Sequence, residues 1–110
     1  MTQVVLRLEG LPDSPLDAAA AFHADHLAKA RASLGEAEAL ALVFAPADHS
    51  HRAWRLAAVQ ALAREASPKR VNGVVGDDQV AIGQTAEWLA KAPGITGQLL
   101  AVDGKSGETR

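Results

Sequence analysis

The chain has 110 residues, the size of one domain, and 48% of them are hydrophobic, which is typical of a soluble globular protein. Cysteine is absent, which excludes disulfides and thiolate metal sites and favours a reducing compartment. The 11 basic and 13 acidic residues leave a net charge of −2 and form no run of one sign. This balance argues against nucleic acid or an anionic membrane as the main partner.

No segment has the features of a secretion signal or a membrane span. The start of the chain, MTQVVLRLEG, lacks a basic region followed by a long apolar stretch. No window approaches the roughly 18 uninterrupted apolar residues that a membrane helix needs. We therefore expect a cytoplasmic protein that does not contact a membrane.

The first predicted elements are a short strand and a long helix. Val4–Leu8 is aliphatic and β-branched, which indicates a strand. Ser14–Asp17 combines a capping serine, a proline at the first helical position and a carboxylate in the first turn, so a helix begins there. We predict this helix over Leu16–Leu34, ended by Gly35, with an inward stripe at spacings of four and three residues: Leu16, Ala20, His23, Leu27, Ala30 and Leu34.

The next two elements are predicted to be more deeply buried. Ala39–Ala45 is apolar throughout, as expected of a strand covered on both faces in a parallel sheet. A helix is predicted over Ser50–Ala66, with Asp48 or Ser50 as its cap. Its apolar residues occupy two faces, which predicts burial on more than one side.

The last predicted elements complete an alternating βαβαβαβ order. They are a strand over Arg70–Val75, a helix over Gln79–Lys91 with Ile82, Ala86 and Leu89 inward, and a strand over Gln98–Val102. This order predicts a three-layer α/β fold with four parallel strands in sequential order and helices on both faces. We predict one domain over residues 1–104 and a flexible tail over 105–110.

Three stretches of the chain resemble the short-chain dehydrogenase/reductase family. Ile95–Gly104 is similar to the I-T-G-x-x-x-x-V-D-G run of the family's last strand, and Ala86–Leu89 resembles the end of the helix before it. Ala57–Glu65, followed by Arg70–Asn72, resembles the helix behind the active site and the strand after it. The resemblance implies a truncated Rossmann-like fold that corresponds to strands four to seven of the family, and an ancestry among NAD(P)-dependent oxidoreductases.

The residues that carry the chemistry of that family are not found at the matching positions. The family's Tyr and Lys fall on Asp48 and Arg52, and the strand that ends in its catalytic Ser ends here in Phe44-Ala45-Pro46. A carboxyl group with a pKa near 4 is a poor proton donor at neutral pH, and arginine stays charged. The sequence also has no G-x-G-x-x-G turn for a dinucleotide. We therefore expect no catalytic residue, no cofactor-binding residue and no bound cofactor.

One polar run is the best candidate for a ligand site. It lies between a predicted strand and a predicted helix, at the edge of a parallel sheet where ligands bind in open α/β folds. A helix cap with exposed neighbours is the simpler interpretation. The functional interpretation is a small anion held by the helix N-terminus and an arginine. The residues are Asp48, His49, Ser50, His51 and Arg52.

A second pair of imidazoles, His23 and His26, has the spacing of one helical turn. Two histidines at that spacing can share a zinc ion, but the H-E-x-x-H arrangement is absent. We interpret His23 as a packing residue and His26 as its solvated neighbour, and predict no metal site.

Three functional hypotheses follow. The first is a non-catalytic protein that forms a homodimer through helices 16–34 and 50–66, or that binds a full-length relative. In the family that the chain resembles, two helices of each subunit form a four-helix bundle and the last strand and helix make a second contact. The second is an oxidoreductase subunit or fragment that meets NAD(P) across an interface. The third is a small-anion or metabolite-binding protein that uses Asp48–Arg52.

Overall fold

Strands and helices alternate through residues 2–102, which are the residues that the computed structural model describes. The strands are β1 (Gln3–Leu8), β2 (Ala39–Phe44), β3 (Arg70–Val75) and β4 (Leu99–Ala101). The helices are α1 (Pro15–Ala21), α2 (Leu27–Glu36), α3 (Arg52–Ala66) and α4 (Gln79–Ala90). A π-helical turn (Phe22–His26) joins α1 to α2, and a 3-10 turn (His49–His51) precedes α3.

The four strands form one parallel sheet in the order β1-β2-β3-β4. In its register Val4 lies beside Leu40, and Leu40 lies beside Val71. Every residue of β2 is buried, because this strand has a neighbour on each side and helices on both faces. The predicted α/β fold with a four-stranded parallel sheet is confirmed.

Two apolar clusters fill the space between the sheet and its helices. On one face, Phe22, Leu34, Val59 and Leu62 from the helices pack against β2 and β3. On the other face, Ile82 and Leu89 of α4 pack against Val43 and Val74. The molecule therefore has three layers, with α1, α2 and α3 on one side and α4 on the other. The inward positions predicted for α4 are confirmed, since Ile82, Ala86 and Leu89 are buried.

The predicted inward stripe of the first helix is wrong over its first half. Leu16 is 84% exposed and Ala20 and His23 are exposed, whereas Ala18 and Phe22 are buried. The cause is the π-helical turn, in which the backbone N–H of Leu27 donates to the carbonyl of Phe22, five residues earlier. This extra residue per turn places Phe22 instead of His23 in line with the half-buried Leu27.

The prediction that the second long helix is buried on more than one side is also wrong within this chain. The buried residues of α3 lie on one face, which includes Ala58, Val59, Leu62 and Ala63. Ala61 is exposed and Leu56 is only half-buried. One sheet face is enough to cover the inward side of α3, and its outer side faces solvent.

The stretches that resemble the dehydrogenase family hold one another in place. Arg70 donates from its guanidinium to the carbonyls of Leu89 and Ala92 at 2.8 and 3.0 Å, which ties β3 to the end of α4. Asn72 donates to the Ile95 carbonyl and accepts from the Gln98 N–H, both at 3.0 Å. These buried side chains fix the loop that leads into β4, which is a structural role.

Two predictions fall at the C-terminal end of the chain. The predicted tail over 105–110, and Asp103 and Gly104 of the V-D-G run, lie outside the described residues. Within residues 2–102, none of the helices has the length and apolar character required to cross a membrane.

Candidate functional site

The polar run between β2 and α3 lies at the edge of the sheet where all four parallel strands end. Two clefts open there, and Arg55 of α3 lines both of them. The larger cleft has a volume of about 460 Å³ and lies between the segments that follow β1 and β2. The smaller cleft has a volume of about 160 Å³ and lies beside the ends of β2, β3 and β4.

Asp48 acts as the cap of the 3-10 turn. Its carboxylate accepts hydrogen bonds from the backbone N–H of Ser50 at 2.9 Å and from the hydroxyl of the same serine. The hydroxyl, and then the backbone N–H, hold the pKa of the exposed Asp48 carboxyl below its usual value of 3.8. Asp48 is thus an ionised acceptor at neutral pH and is unsuited to donate a proton in place of a tyrosine.

His51 is a buried structural histidine, with 6% of its surface exposed. Its Nε2 lies 2.8 Å from the backbone carbonyl of Asp13, and the indole N–H of Trp54 donates to its Nδ1 at 3.1 Å. A carbonyl oxygen only accepts and an indole N–H only donates, so the ring carries its proton on Nε2 and accepts at Nδ1. Both nitrogens are occupied, which leaves His51 no free base for catalysis.

The predicted site residues divide between the two clefts. Asp48, His49 and Arg52 line the smaller cleft, and Asp48 also lines the larger one with His51. His49, Ser50 and Arg52 are exposed. The structure therefore brings the Asp and the Arg of the predicted run to one small cleft and turns His51 away from it.

Arg55 lines both clefts and is not among the candidate residues predicted from the sequence. Its side chain is 6% exposed, and its Nε is buried without a hydrogen-bond partner. The guanidinium carbon lies 4.9 Å from the centre of the Phe44 ring and 5.9 Å from that of Trp54. A signal for its burial exists in the sequence, because Arg55 lies three, four and seven residues before the apolar Ala58, Val59 and Leu62.

The end of β2 is occupied by an aromatic cluster. Phe44 is fully buried, and its ring lies 5.8 Å from Trp54 in a T-shaped arrangement and 6.5 Å from Phe22. In the family that the sequence resembles, this strand end carries the catalytic serine. Aromatic packing thus replaces a reactive hydroxyl at this point and supplies the surface on which Arg55 rests.

Neither histidine of the π-helical turn lines either cleft. His23 is exposed, and its Nδ1 lies 2.7 Å from the carbonyl of Ala19 in its own helix. Among the described residues, no group of three or more histidine, cysteine or acidic side chains is arranged to hold a metal ion.

Comparison with known proteins finds one family. The family model described as short chain dehydrogenase-like protein matches residues 6–102. No match is found among curated proteins or among solved structures. The match includes all four strands except the start of β1, together with every residue of the two clefts.

Proposed function

The chain belongs to the short chain dehydrogenase-like family, and on this premise we propose that it is a non-catalytic module that works by forming a homodimer. The observation that carries the non-catalytic part is the use of Asp48. At the position that matches the family's tyrosine, this carboxylate caps a helical turn and is held in its ionised form by Ser50. A group held in that form does not supply the proton that a carbonyl reduction requires.

The outer surface of the α1–α3 layer supports the dimer. Exposed alanines recur at every fourth position on both long helical segments, which lowers the number of long side chains between the helices of two copies. The exposed ion pair between Arg31 and Glu65 joins the same two segments. The exposed alanines are Ala20, Ala24, Ala28 and Ala32 on the first segment and Ala53, Ala57 and Ala61 on α3. Small residues allow helices to approach closely, as the four-helix bundle implied by the family resemblance requires.

Large apolar side chains that remain exposed also favour an assembly. Leu16 is 84% exposed at the start of α1. On α4, Val80 is 68% exposed and Trp88 is 55% exposed, and their spacing of eight residues places them on one side of the helix. Leu16 extends the proposed helix interface. Val80 and Trp88 are placed to take part in the second subunit contact, through the last strand and helix, that the family resemblance implies.

Two alternatives involve a ligand at the strand ends. An oxidoreductase subunit or fragment would need a partner to complete a cofactor site, because the chain contains no G-x-G-x-x-G turn. A small-anion or metabolite site at Asp48–Arg52 is compatible with the dimer, since none of the exposed alanines of the helices lines either cleft. As part of the proposal, the module is a single cytoplasmic domain over residues 1–104, which the lack of cysteine favours.

Sedimentation velocity tests the proposed dimer directly. At micromolar chain concentration we expect a species of twice the chain mass of 11.4 kDa. A stable monomer at that concentration would refute the dimer and leave the non-catalytic assignment to be judged on cofactor binding.

A further inference from the structure

The guanidinium of Arg55 is a buried cation that has no anion beside it. Its Nε has no hydrogen-bond partner, and in residues 2–102 no carboxylate lies within salt-bridge distance of it. Burial lowers the pKa of this guanidinium below its usual value, since the charged form is removed from water. A buried charge without a partner is costly for a folded protein, so an anion that reaches the terminal nitrogens of Arg55 would stabilise it.

The aromatic rings beside Arg55 support its position without using its hydrogen bonds. Phe44 and Trp54 contact the guanidinium at 4.9 and 5.9 Å, which offsets part of the cost of burial. The N–H bonds of arginine lie in the plane of the group and form a fork that matches a carboxylate. Contact with the rings therefore leaves donors available to an acceptor in the adjoining clefts.

The smaller cleft has the charge and the surface for such an acceptor. Arg52 and Arg55 both line it, and the one carboxylate that they face there, that of Asp48, is already engaged by Ser50. The remaining wall is largely apolar and includes Val75, the last residue of β3, and Leu99 and Ala101 of β4. Its volume of about 160 Å³ is enough for a small organic acid.

The larger cleft on the other side of Arg55 is a poorer place for an anion. Three acidic residues line it, Glu9, Asp13 and Asp48. Negatively charged side chains repel an anionic ligand, so the larger cleft is less favourable for an anion than the smaller cleft.

We propose that the smaller cleft binds a short aliphatic monocarboxylate, with its carboxylate on Arg55 and Arg52 and its hydrocarbon chain against Val75 and Leu99. We propose an organic acid instead of inorganic phosphate because of the apolar wall. Phosphate has no apolar group that could pack against Val75 and Leu99. This site goes beyond the proposed dimer and does not depend on it, so the failure of either is observed separately.

Butyrate is the probe that tests the site. We expect saturable NMR shifts of the Leu99 and Ala101 amides and of the Arg55 Nε–H, with a Kd of about 1 mM for a ligand of this size. Inorganic phosphate at the same ionic strength should bind roughly tenfold more weakly. Equal binding of both anions would overturn the carboxylate assignment, and no saturable shift with butyrate would overturn the site.

Two arginines on the same helix provide the variant and its control. Arg55→Met keeps an unbranched side chain and removes the charge, and should weaken butyrate at least about tenfold. Arg64→Met removes an exposed arginine from α3 and should leave the affinity unchanged. Arg52→Gln, at an exposed position, should weaken binding several-fold and keeps the test valid if Arg55→Met does not fold. Unchanged binding in Arg55→Met, or in Arg52→Gln where that variant replaces it, would overturn the proposal.

Discussion

His51 and Arg55 lie one helical turn apart at the start of α3 and are equally buried, but they are satisfied to different degrees. Both ring nitrogens of His51 have partners, one in the segment before α1 and one in Trp54. The Nε of Arg55 has none. A buried polar group with all its partners stabilises a fold, whereas one without a partner lowers stability. His51 is therefore a structural residue, and Arg55 is the candidate for binding a ligand.

The structural role of His51 predicts a loss of stability on substitution. His51→Ala removes the hydrogen bond to Asp13 in the segment before α1 and the one from Trp54 within α3, and should lower the free energy of unfolding by about 2 kcal/mol. His49→Ala removes an exposed ring and should change it by less than about 0.5 kcal/mol. Urea denaturation of both variants measures the difference. Equal effects would show that His51 does not serve as this link.

The cap at Asp48 predicts a specific pH dependence. Its folded pKa lies below 3.8, so the stability that this carboxylate contributes is present above pH 3.8 and is lost as the pH falls through the folded pKa. An NMR titration of the Asp48 side-chain carbon should give a pKa below 3.8, and Ser50→Ala should raise it towards that value. A pKa above 3.8 in the unaltered chain would contradict the role of Asp48 as an ionised cap.

At the level of elements, the π-helical turn determines which residues the first helical segment buries. Its extra residue brings Phe22 into the cluster formed with Phe44 and Trp54, and leaves His23 in solvent. The aromatic surface that supports Arg55 thus depends on a local irregularity of a neighbouring helix.

This irregularity predicts unequal effects for two adjacent residues. Phe22→Ala should destabilise the chain by about 3–5 kcal/mol, because a fully buried ring leaves a cavity. His23→Ala should cost less than about 1 kcal/mol, since its ring is exposed and bonds only within its own helix. Thermal and urea denaturation compare the two variants. A larger loss of stability in His23→Ala than in Phe22→Ala would contradict the π-helical turn and support the regular helix, with His23 inward, that the sequence pattern predicts.

The elements that could be predicted from the sequence are those with strong periodicity or strong end signals. The aliphatic run in β2, the Ser14-Pro15 start of α1 and the apolar spacing of Ile82, Ala86 and Leu89 in α4 each predict an element that the structure contains. The π-helical turn could not be predicted, because nothing in a spacing of four and three residues indicates an inserted residue. A regular helix therefore predicts His23 at the inward position that Phe22 occupies in the structure.

The location of the candidate site could be predicted from the sequence, but the contacts that each of its residues makes could not. The rule that ligands bind at strand ends pointed to Asp48–Arg52, and the clefts are there. The roles within the run depend on contacts with distant residues, such as Asp13 for His51, which no local pattern shows. The burial of Arg55 is not evident from its residue type, because arginine is mostly exposed in folded proteins even where it is in phase with an apolar stripe.

At the level of the whole molecule, the residues that carry the family likeness hold the fold together. Arg70 and Asn72 connect β3 to α4 and to the loop before β4, and the backbone N–H of Gly97, at φ +75°, donates to the Val71 carbonyl at 2.7 Å. The sequence keeps these structural residues and lacks a dinucleotide-binding turn. The presence of the structural residues without the dinucleotide-binding turn favours a binding module over an oxidoreductase.

The proposed helix interface predicts the effect of a charge on its surface. Ala57→Arg places a long cation in the middle of the exposed alanines of α3 and should convert the dimer to a monomer at micromolar concentration. Glu38→Arg, at an exposed position between α2 and β2, is the control and should leave the dimer intact. Sedimentation velocity distinguishes the two. Dissociation by both variants, or by neither, would show that the interface lies elsewhere.

Titration of NADH and NADPH into the unaltered chain tests the non-catalytic assignment most directly. Calorimetry and nicotinamide fluorescence should show no saturable binding up to about 1 mM of either cofactor, because the chain lacks the glycine-rich turn and places a helix cap where the family's tyrosine stands. Binding of either cofactor with a micromolar Kd would contradict the account and favour an oxidoreductase subunit.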